Sequence, residues 1–296
     1  MSRSYPRPLT TPAASRTPQR GTTRPFVSLL SDFGLRDPSA AIMKGVVLGV
    51  AADANVVDIS HEVDKYQVRD GALLLWCAVP YLPVGVHVAV VDPGVGTERL
   101  PLAVRTARGD TLVGPDNGLL LPAAERLGGV SSVHVLESTE HRLPVVSSSF
   151  HGRDIFAPAA AHLALGVPIG ALGPALEPGS LARLDWPAPS VGDGRLEASV
   201  IYVDTFGSLK LAAEGDHLRS AFDDPPPGTR LRVAWGHGRG LREVEAAWVE
   251  TFGRVAPGEP LLYEDSYGRL CLAVNQGAAS QALGIARDMP LRITRA

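Results

Sequence analysis

The sequence predicts an α/β protein in two parts: an N-terminal layered α/β domain with a central sheet and helices over residues 26–184, and a smaller all-β, barrel-like domain over residues 195–296. Three observations predict it. Residues 26–165 alternate short β-rich runs with helical stretches, as layered α/β domains do. Residues 196–274 carry short strand-like runs separated by Gly, Pro and Asp, the pattern of a small barrel or sandwich. Between them, residues 185–194 concentrate chain breakers and form the best linker. At 296 residues the chain is long enough for two packed domains.

In the first part, strands are expected at 26–30, 56–59, 86–91, 102–104, 111–113 and 133–136, each a short apolar or β-branched run. Helices are expected in the longer stretches 40–52, 68–81, 119–127 and 155–165, with a turn at Pro115-Asp116-Asn117-Gly118. In the second part, strands are expected at 196–203, 209–212, 230–234, 243–249, 261–263 and 270–274. Residues 1–25 are rich in Pro, Ser, Thr and Arg without the apolar centre of a secretory signal, and read as a disordered basic arm.

Charge and composition narrow the function. The net charge of −3 becomes −8 once the five arginines of the first 25 residues are set aside, which argues against nucleic acid as a partner. No apolar run reaches bilayer-spanning length, so no membrane partner is expected. Lys44, Lys65 and Lys210 are the only three lysines among 28 basic residues, a composition bias. Cys77 and Cys271 lie far apart in apolar surroundings and read as free thiols of a cytoplasmic protein.

The turns after apolar strands hold the candidate chemistry, because such a scaffold presents side chains there from rigid supports. Ser31-Asp32-Phe33-Gly34 with Asp37 offers two carboxylates around a glycine, suited to hydroxyl pairs or an ammonium group, or else to capping the next helix. Val57-Asp58-Ile59-Ser60-His61-Glu62 has metal-ligand residue types, and local hydrogen bonding explains it as well. Asp92-Pro93-Gly94-Val95-Gly96-Thr97-Glu98-Arg99 lacks the third glycine of a dinucleotide fingerprint but brings a carboxylate and a guanidinium within folding reach. Phe150-His151-Gly152-Arg153-Asp154 puts a histidine just before a helix. In the β-rich half, Phe206 and Phe252 beside glycine turns suit either hairpins or walls for a flat heterocycle.

Together and in order, these motifs, with Met43-Lys44-Gly45, Pro115-Asp116-Asn117-Gly118 and Val274-Asn275-Gln276-Gly277, resemble the S-adenosylmethionine (SAM) hydroxide adenosyltransferase family, SAM hydrolases related to fluorinase and chlorinase. The resemblance runs from about Phe26 to the C-terminus. It implies conversion of SAM and water to adenosine and L-methionine, with no metal or other cofactor. It also implies a homotrimer whose sites lie between one subunit's N-terminal domain and the next subunit's C-terminal domain. It implies that Asp92, Arg99 and His151 activate water, and that Asp32 grips the ribose hydroxyls. Asp37, Ser39 and Asp204 would hold the methionine head group, and Ser266 its carboxylate. Phe206, Phe252 and the backbone of Val274, Asn275 and Gln276 would surround adenine, with Tyr66 a pocket aromatic and Asn117, Ser208 and Tyr267 completing the binding set. Ser208 stands where the family usually has Asn, and Asp265 and Tyr267 also depart from the commonest pattern.

Three alternatives differ in chemistry. A halide adenosyltransferase would need an anion beside Asp92, whose carboxylate repels it, and the halogenating relatives carry Tyr at that position. A metal-dependent hydrolase would draw on Asp32, Asp58, His61, Asp92 and His151, without a recognised ligand spacing. A SAM- or adenosine-binding module would bind without turnover.

Overall fold

The computed structural model describes residues 24–296. All but the last two residues of the expected arm lie outside the described residues. The chain divides into two compact units, the first ending at Leu184 and the second running Asp185–Ala296.

The first unit is built on a seven-stranded sheet in the order β2-β1-β3-β5-β4-β6-β7. Its strands are β1 (Phe26–Ser31), β2 (Asn55–Ser60), β3 (Val86–Val90), β4 (Pro101–Thr106), β5 (Thr111–Pro115), β6 (Val130–Val135) and β7 (Ala175–Leu176). β2, β1, β3 and β5 are parallel, and β4, β6 and β7 extend the sheet antiparallel. The near-continuous apolar runs of β1 and β3 follow from that arrangement, since a parallel strand is covered on both faces. Helices α1 (Ser39–Val50) and α4 (Ala157–Ala164) pack together, burying Met43, Val47, Ala157 and Ala160 with Val27, Leu29, Val88 and Val113 of the sheet. Helices α2 (Val68–Ala78) and α3 (Leu121–Arg126) pair with each other. Gly71 of α2 is where that helix approaches Leu30, Val91 and Leu119, and a Cβ there would come within 2.8 Å of the Val91 side chain.

The second unit is a closed seven-stranded barrel. Strands β9 (Arg195–Val203), β10 (Leu209–Glu214), β11 (Arg230–Trp235), β12 (Arg242–Trp248), β13 (Pro260–Glu264), β14 (Arg269–Val274) and β15 (Pro290–Arg295) follow the order β10-β14-β13-β12-β11-β15-β9. Pairing of β10 with β9 closes it. All pairs are antiparallel except β12 with β13. Within the breaker-rich segment, β8 (Ser190–Gly192) folds back on β9.

Besides β8, which stands in the segment read as a linker, three elements of this unit were not expected. α5 (Gly215–Phe222) stands in a region read as all-β, and buries Leu218, Ala221 and Phe222 in the barrel core. Its three apolar residues span barely one turn, too short a signal for a helix to declare itself. The same holds for α6 (Ala279–Leu283). β15 does alternate, with Leu291 and Ile293 inward, but over only two residues.

Candidate active site

β1, β2, β3 and β5 are parallel, so their carboxyl ends share one edge of the sheet, and each leads directly into one of the chemically rich turns. Ligands of open α/β sheets bind beyond that edge. From it come Asp32 after β1, His61 after β2, Asp92 after β3 and Asn117 after β5.

Asp92, Arg99 and His151 meet. Arg99 Nε donates to both Asp92 carboxylate oxygens at 3.1 and 2.9 Å, and Nη2 donates to Oδ2 at 2.5 Å. The two side chains are only 4% and 8% exposed, unlike the surface pair that their spacing alone allows. Arg99 Nη2 lies 2.8 Å from His151 Nδ1. Guanidinium has no lone pair to offer, so Nδ1 is the acceptor and the imidazole proton sits on Nε2. Burial first, and then the adjacent Arg99 charge, hold the His151 pKa below its ordinary value against the opposing pull of Asp92 and Asp154. Arg99 Nη1 is buried with no hydrogen-bond partner among the described residues, a donor still unused.

Local backbone explains why these groups converge. Gly96 has φ +76° and lies so close to the Ser148 carbonyl that no side chain fits, which lays the Asp92 loop against the segment entering His151. After His151 the chain makes a π-helical turn, Gly152–Phe156, before α4 begins. The sequence predicts one helix over 155–165; the wider turn is a bulge of the kind found at functional sites. Gly152 packs against Met43 Sδ and the Phe33 ring, each 3.2 Å from where a Cβ would lie. Buried Asp154 accepts from the Ser147 N–H at 2.8 Å and pairs with Arg153, steadying the approach to His151. The sequence placed it in the motif without assigning it a role.

Asp32 is 7% exposed, and its Oδ2 accepts the Tyr66 N–H at 2.9 Å. Tyr66 makes that bond from φ +66°, a conformation unusual for an aromatic residue, with its ring 70% exposed. Lys65 donates to the Asp32 carbonyl oxygen. Asp37 is exposed and Ser39 opens α1, yet α1 has no side-chain cap, so the helix-capping explanation for Asp32 and Asp37 does not hold. Asn117 is braced within the protein: Nδ2 donates to the Val91 carbonyl at 2.8 Å and Oδ1 accepts the Leu119 N–H at 3.2 Å.

The candidate metal ligands do not assemble. Asp58 and His61 bond to each other, with Lys44 on Asp58, while Asp92 is paired with Arg99. Cations already occupy both acids. Among the described residues there is no group of three or more His, Cys, Asp or Glu placed to hold a metal.

In the second unit, Asp204 Oδ1 accepts the N–H groups of Phe206 and Ser208 at 3.0 and 2.9 Å, forming a tight turn that leaves Phe206 79% exposed. Ser208 is buried and hydrogen-bonded to Tyr263, which packs on Phe252 with ring centroids 4.8 Å apart. Ser266 is exposed at the tip of a turn held from below, where buried Asp265 accepts from the Tyr267 and Arg269 N–H groups and pairs with Lys210. Lys210 Nζ lies 5.4 Å from the Tyr267 ring centroid. Burial pushes Cys271, beside this pair, up to about 12. Asn275 has its N–H, its carbonyl and Nδ2 all bonded within the protein, and Val274 is buried in β14, so of these three residues only Gln276, at φ +55°, is exposed.

Comparison with known proteins gives consistent matches. Residues 27–173 match the SAM hydroxide adenosyltransferase N-terminal domain, and residues 198–292 match its C-terminal domain. The chain is 45% identical over 270 residues to a protein of Salinispora tropica named (R)-S-adenosyl-L-methionine hydrolase, covering 91% of this chain and 98% of that one. It is 41% identical to a Thermus thermophilus protein of the same name, covering 90% and 98%. A solved structure of a conserved protein from Thermotoga maritima superposes with a TM-score of 0.84 at 34% identity, over 91% of this chain and all of that one. Similarity to a fluorinase of Actinopolyspora mzabensis is lower, at 27%.

Proposed function

The chain belongs to the SAM hydroxide adenosyltransferase family, and on that premise we propose that it hydrolyses SAM to adenosine and L-methionine, with Asp92, Arg99 and His151 handling the water. The observation that carries the water chemistry is the buried bidentate Asp92–Arg99 pair bonded on to His151.

A water oxygen attacks the ribose C5′ in line with the C5′–S bond, whose electron pair leaves on sulfur. The sulfonium becomes a neutral thioether, so the leaving group needs no proton. The nucleophile is the difficult half, because water, with a pKa of about 15.7, attacks well only as it loses its proton. Asp92 accepts that proton, and Arg99 fixes the carboxylate that does so. His151, neutral with its proton on Nε2, donates to the attacking oxygen. Asp32 takes the ribose hydroxyls. Asp37, Ser39, Asp204 and Ser266 receive the methionine end, and Phe206, Phe252 and Gln276 flank adenine. Four carboxylates around the substrate favour a cationic sulfonium and would repel a halide nucleophile. The relatives' name specifies the (R) configuration, and we extend it to the sulfonium centre accepted here.

The assembly we propose is a homotrimer in the cytoplasm, built without a metal. Exposed Leu35 and Tyr66 in the first unit and exposed Phe206 in the second are apolar groups that a neighbouring subunit would cover. Both cysteines are buried and free, as a reducing compartment would keep them. Among the described residues no helix is long and apolar enough to cross a membrane.

Incubation with each SAM epimer in ¹⁸O water tests the reading. Label at the 5′ oxygen of adenosine, at a rate reduced about 10²–10⁴-fold by Asp92→Ala, is expected. Unlabelled product, or undiminished release by the variant, would overturn it. Activity lost on chelation and restored by one ion would move the chemistry to a metal.

A further inference from the structure

Among the motifs without a role in this mechanism are Met43-Lys44-Gly45 and Val57-Asp58-Ile59-Ser60-His61-Glu62. They are joined. Lys44 Nζ donates to Asp58 Oδ2 at 2.5 Å, Asp58 Oδ1 lies 3.1 Å from His61 Nε2, and His61 Nδ1 lies 2.7 Å from Ser31 Oγ. Burial raises the Asp58 pKa, but the hydrogen bonds from Lys44 and His61 outweigh it, so the carboxylate stays charged and accepting. With Nε2–H facing that carboxylate, Nδ1 accepts the Ser31 hydroxyl proton, and the Ser31 lone pairs turn toward the Phe33 N–H, 3.3 Å away. Ser31 immediately precedes Asp32, and Phe33 follows it.

The same segment grips the turn at further points, among them the Lys65 bond to the Asp32 carbonyl and the Val63 N–H bond to the Ser31 carbonyl at 3.4 Å. The His61 carbonyl accepts the Gly34 N–H at 2.6 Å, Glu62 Oε1 accepts the Leu35 N–H at 2.9 Å, and the Tyr66 N–H meets Asp32 itself. Asp32 thus points where the 58–66 segment holds it. A Ser-His-Asp line invites a nucleophile reading, but Ser31 is fully buried and its hydroxyl is engaged on both sides.

We propose that His61, acting through Ser31 and oriented by Asp58, is a positioning residue that aims the Asp32 carboxylate at the ribose diol. This rests on the reading of Asp32 as the ribose ligand. A carboxylate serves a diol only if both oxygens face both hydroxyls, so a small rotation of the turn forfeits the interaction.

The test is the affinity ratio of adenosine to 2′,3′-dideoxyadenosine, measured by calorimetry on the intact protein. This ratio reports the diol contact and not general stability. Asp32→Ala is expected to bring the ratio near one. Ser31→Ala and His61→Ala should lower it about tenfold and raise the KM for SAM more than they change kcat. His61→Asn, which keeps an acceptor near the Nδ1 position, should recover most of it. Ser28→Ala, the same change three residues earlier on the same strand, should leave it unaltered. If Asp32→Ala collapses the ratio while Ser31→Ala and His61→Ala both leave it at the wild-type value, the positioning role is wrong. If Asp32→Ala leaves the ratio intact, the ribose reading fails and this inference falls with it. Should His61→Ala not fold, Ser31→Ala alone decides, since it removes one oxygen atom.

Discussion

The first unit contains the same side-chain line twice. In the amino-terminal half of β1, Ser28 Oγ lies 2.7 Å from His87 Nδ1, and His87 Nε2 lies 3.0 Å from Asp110 Oδ1. At the carboxyl end, Ser31, His61 and Asp58 repeat the geometry, with 2.7 and 3.1 Å. In the first line all three side chains are fully buried, and Arg108 closes it by donating to Asp110 at 2.7 and 2.8 Å. In the second, Asp58 reaches the surface, 34% exposed beside Lys44, and Ser31 touches the turn that carries Asp32. Identical chemistry therefore does two jobs. Toward the amino ends of the parallel strands it ties β1, β3 and the β5 entrance together; at the carboxyl ends it holds a binding turn. Position along the strand, and not the residue types, separates them.

Breaking the sealed line has the largest expected effect on stability. Asp110→Ala takes from Arg108 and His87 the carboxylate they share, leaving Arg108 only backbone carbonyls, and removing one partner of a buried pair costs about 3–5 kcal/mol. Denaturant unfolding should show that loss, with SAM turnover per folded molecule unchanged; a parallel loss of turnover would erase the contrast between the two lines.

Acid provides a second, smaller test. Burial raises the Asp110 pKa, but hydrogen bonds from His87 and Arg108 hold it well below the usual carboxylate range. A lowered folded pKa means that the stabilisation is complete above about pH 3.9, the unfolded value, and is lost as pH falls through the folded value. Stability of the wild type should decline over that descent, and Asp110→Asn should decline less steeply. Equal slopes would mean that Asp110 is not held charged.

Ser28→Ala and Ser31→Ala should each cost about 1 kcal/mol, the value of one buried hydrogen bond, so thermal melting should not tell them apart. Only the second should raise the KM for SAM. Lys44→Met has the smallest expected effect, under about 1 kcal/mol, because its ion pair with Asp58 is over a third exposed on the lysine side. A larger loss on melting would show that the open end of the line matters as much as the sealed one.

The lysines sharpen the same lesson. Three lysines among 28 basic residues read as composition, yet Lys44, Lys65 and Lys210 each make a specific bond, to Asp58, the Asp32 carbonyl and Asp265. An ammonium is a compact point donor on a slender stem, and it fits where a planar guanidinium would not. The sequence shows the rarity but not the partners, which lie 14, 33 and 55 positions away.

Much of the fold was legible because its signals are local. β1, β3 and β14 are predominantly apolar runs, and their turns carry Gly, Pro and Asp. α5, α6 and β15 were missed because each is too short to show a period, and the barrel core rather than intrinsic preference decides their form. In the site, the meeting of Asp92 with Arg99 was readable from one glycine-rich loop. The burial of Ser208, the internal bonds of Asn117 and Asn275 and the braces behind Asp32 were not, since each depends on a neighbour distant in sequence.

By itself the sequence determined the two-part architecture, the family motifs and the residue types available for moving water and holding a cationic substrate. Only the tertiary structure decided which of those residues face one another, which histidine nitrogen carries the proton beside Arg99, and which of two identical Ser-His-Asp lines reaches the binding edge. The reason is physical. Residue type and local pattern act within a turn or two of chain, whereas hydrogen-bond direction, burial and the resulting shifts in acidity are set by contacts that exist only after the strands have been brought side by side.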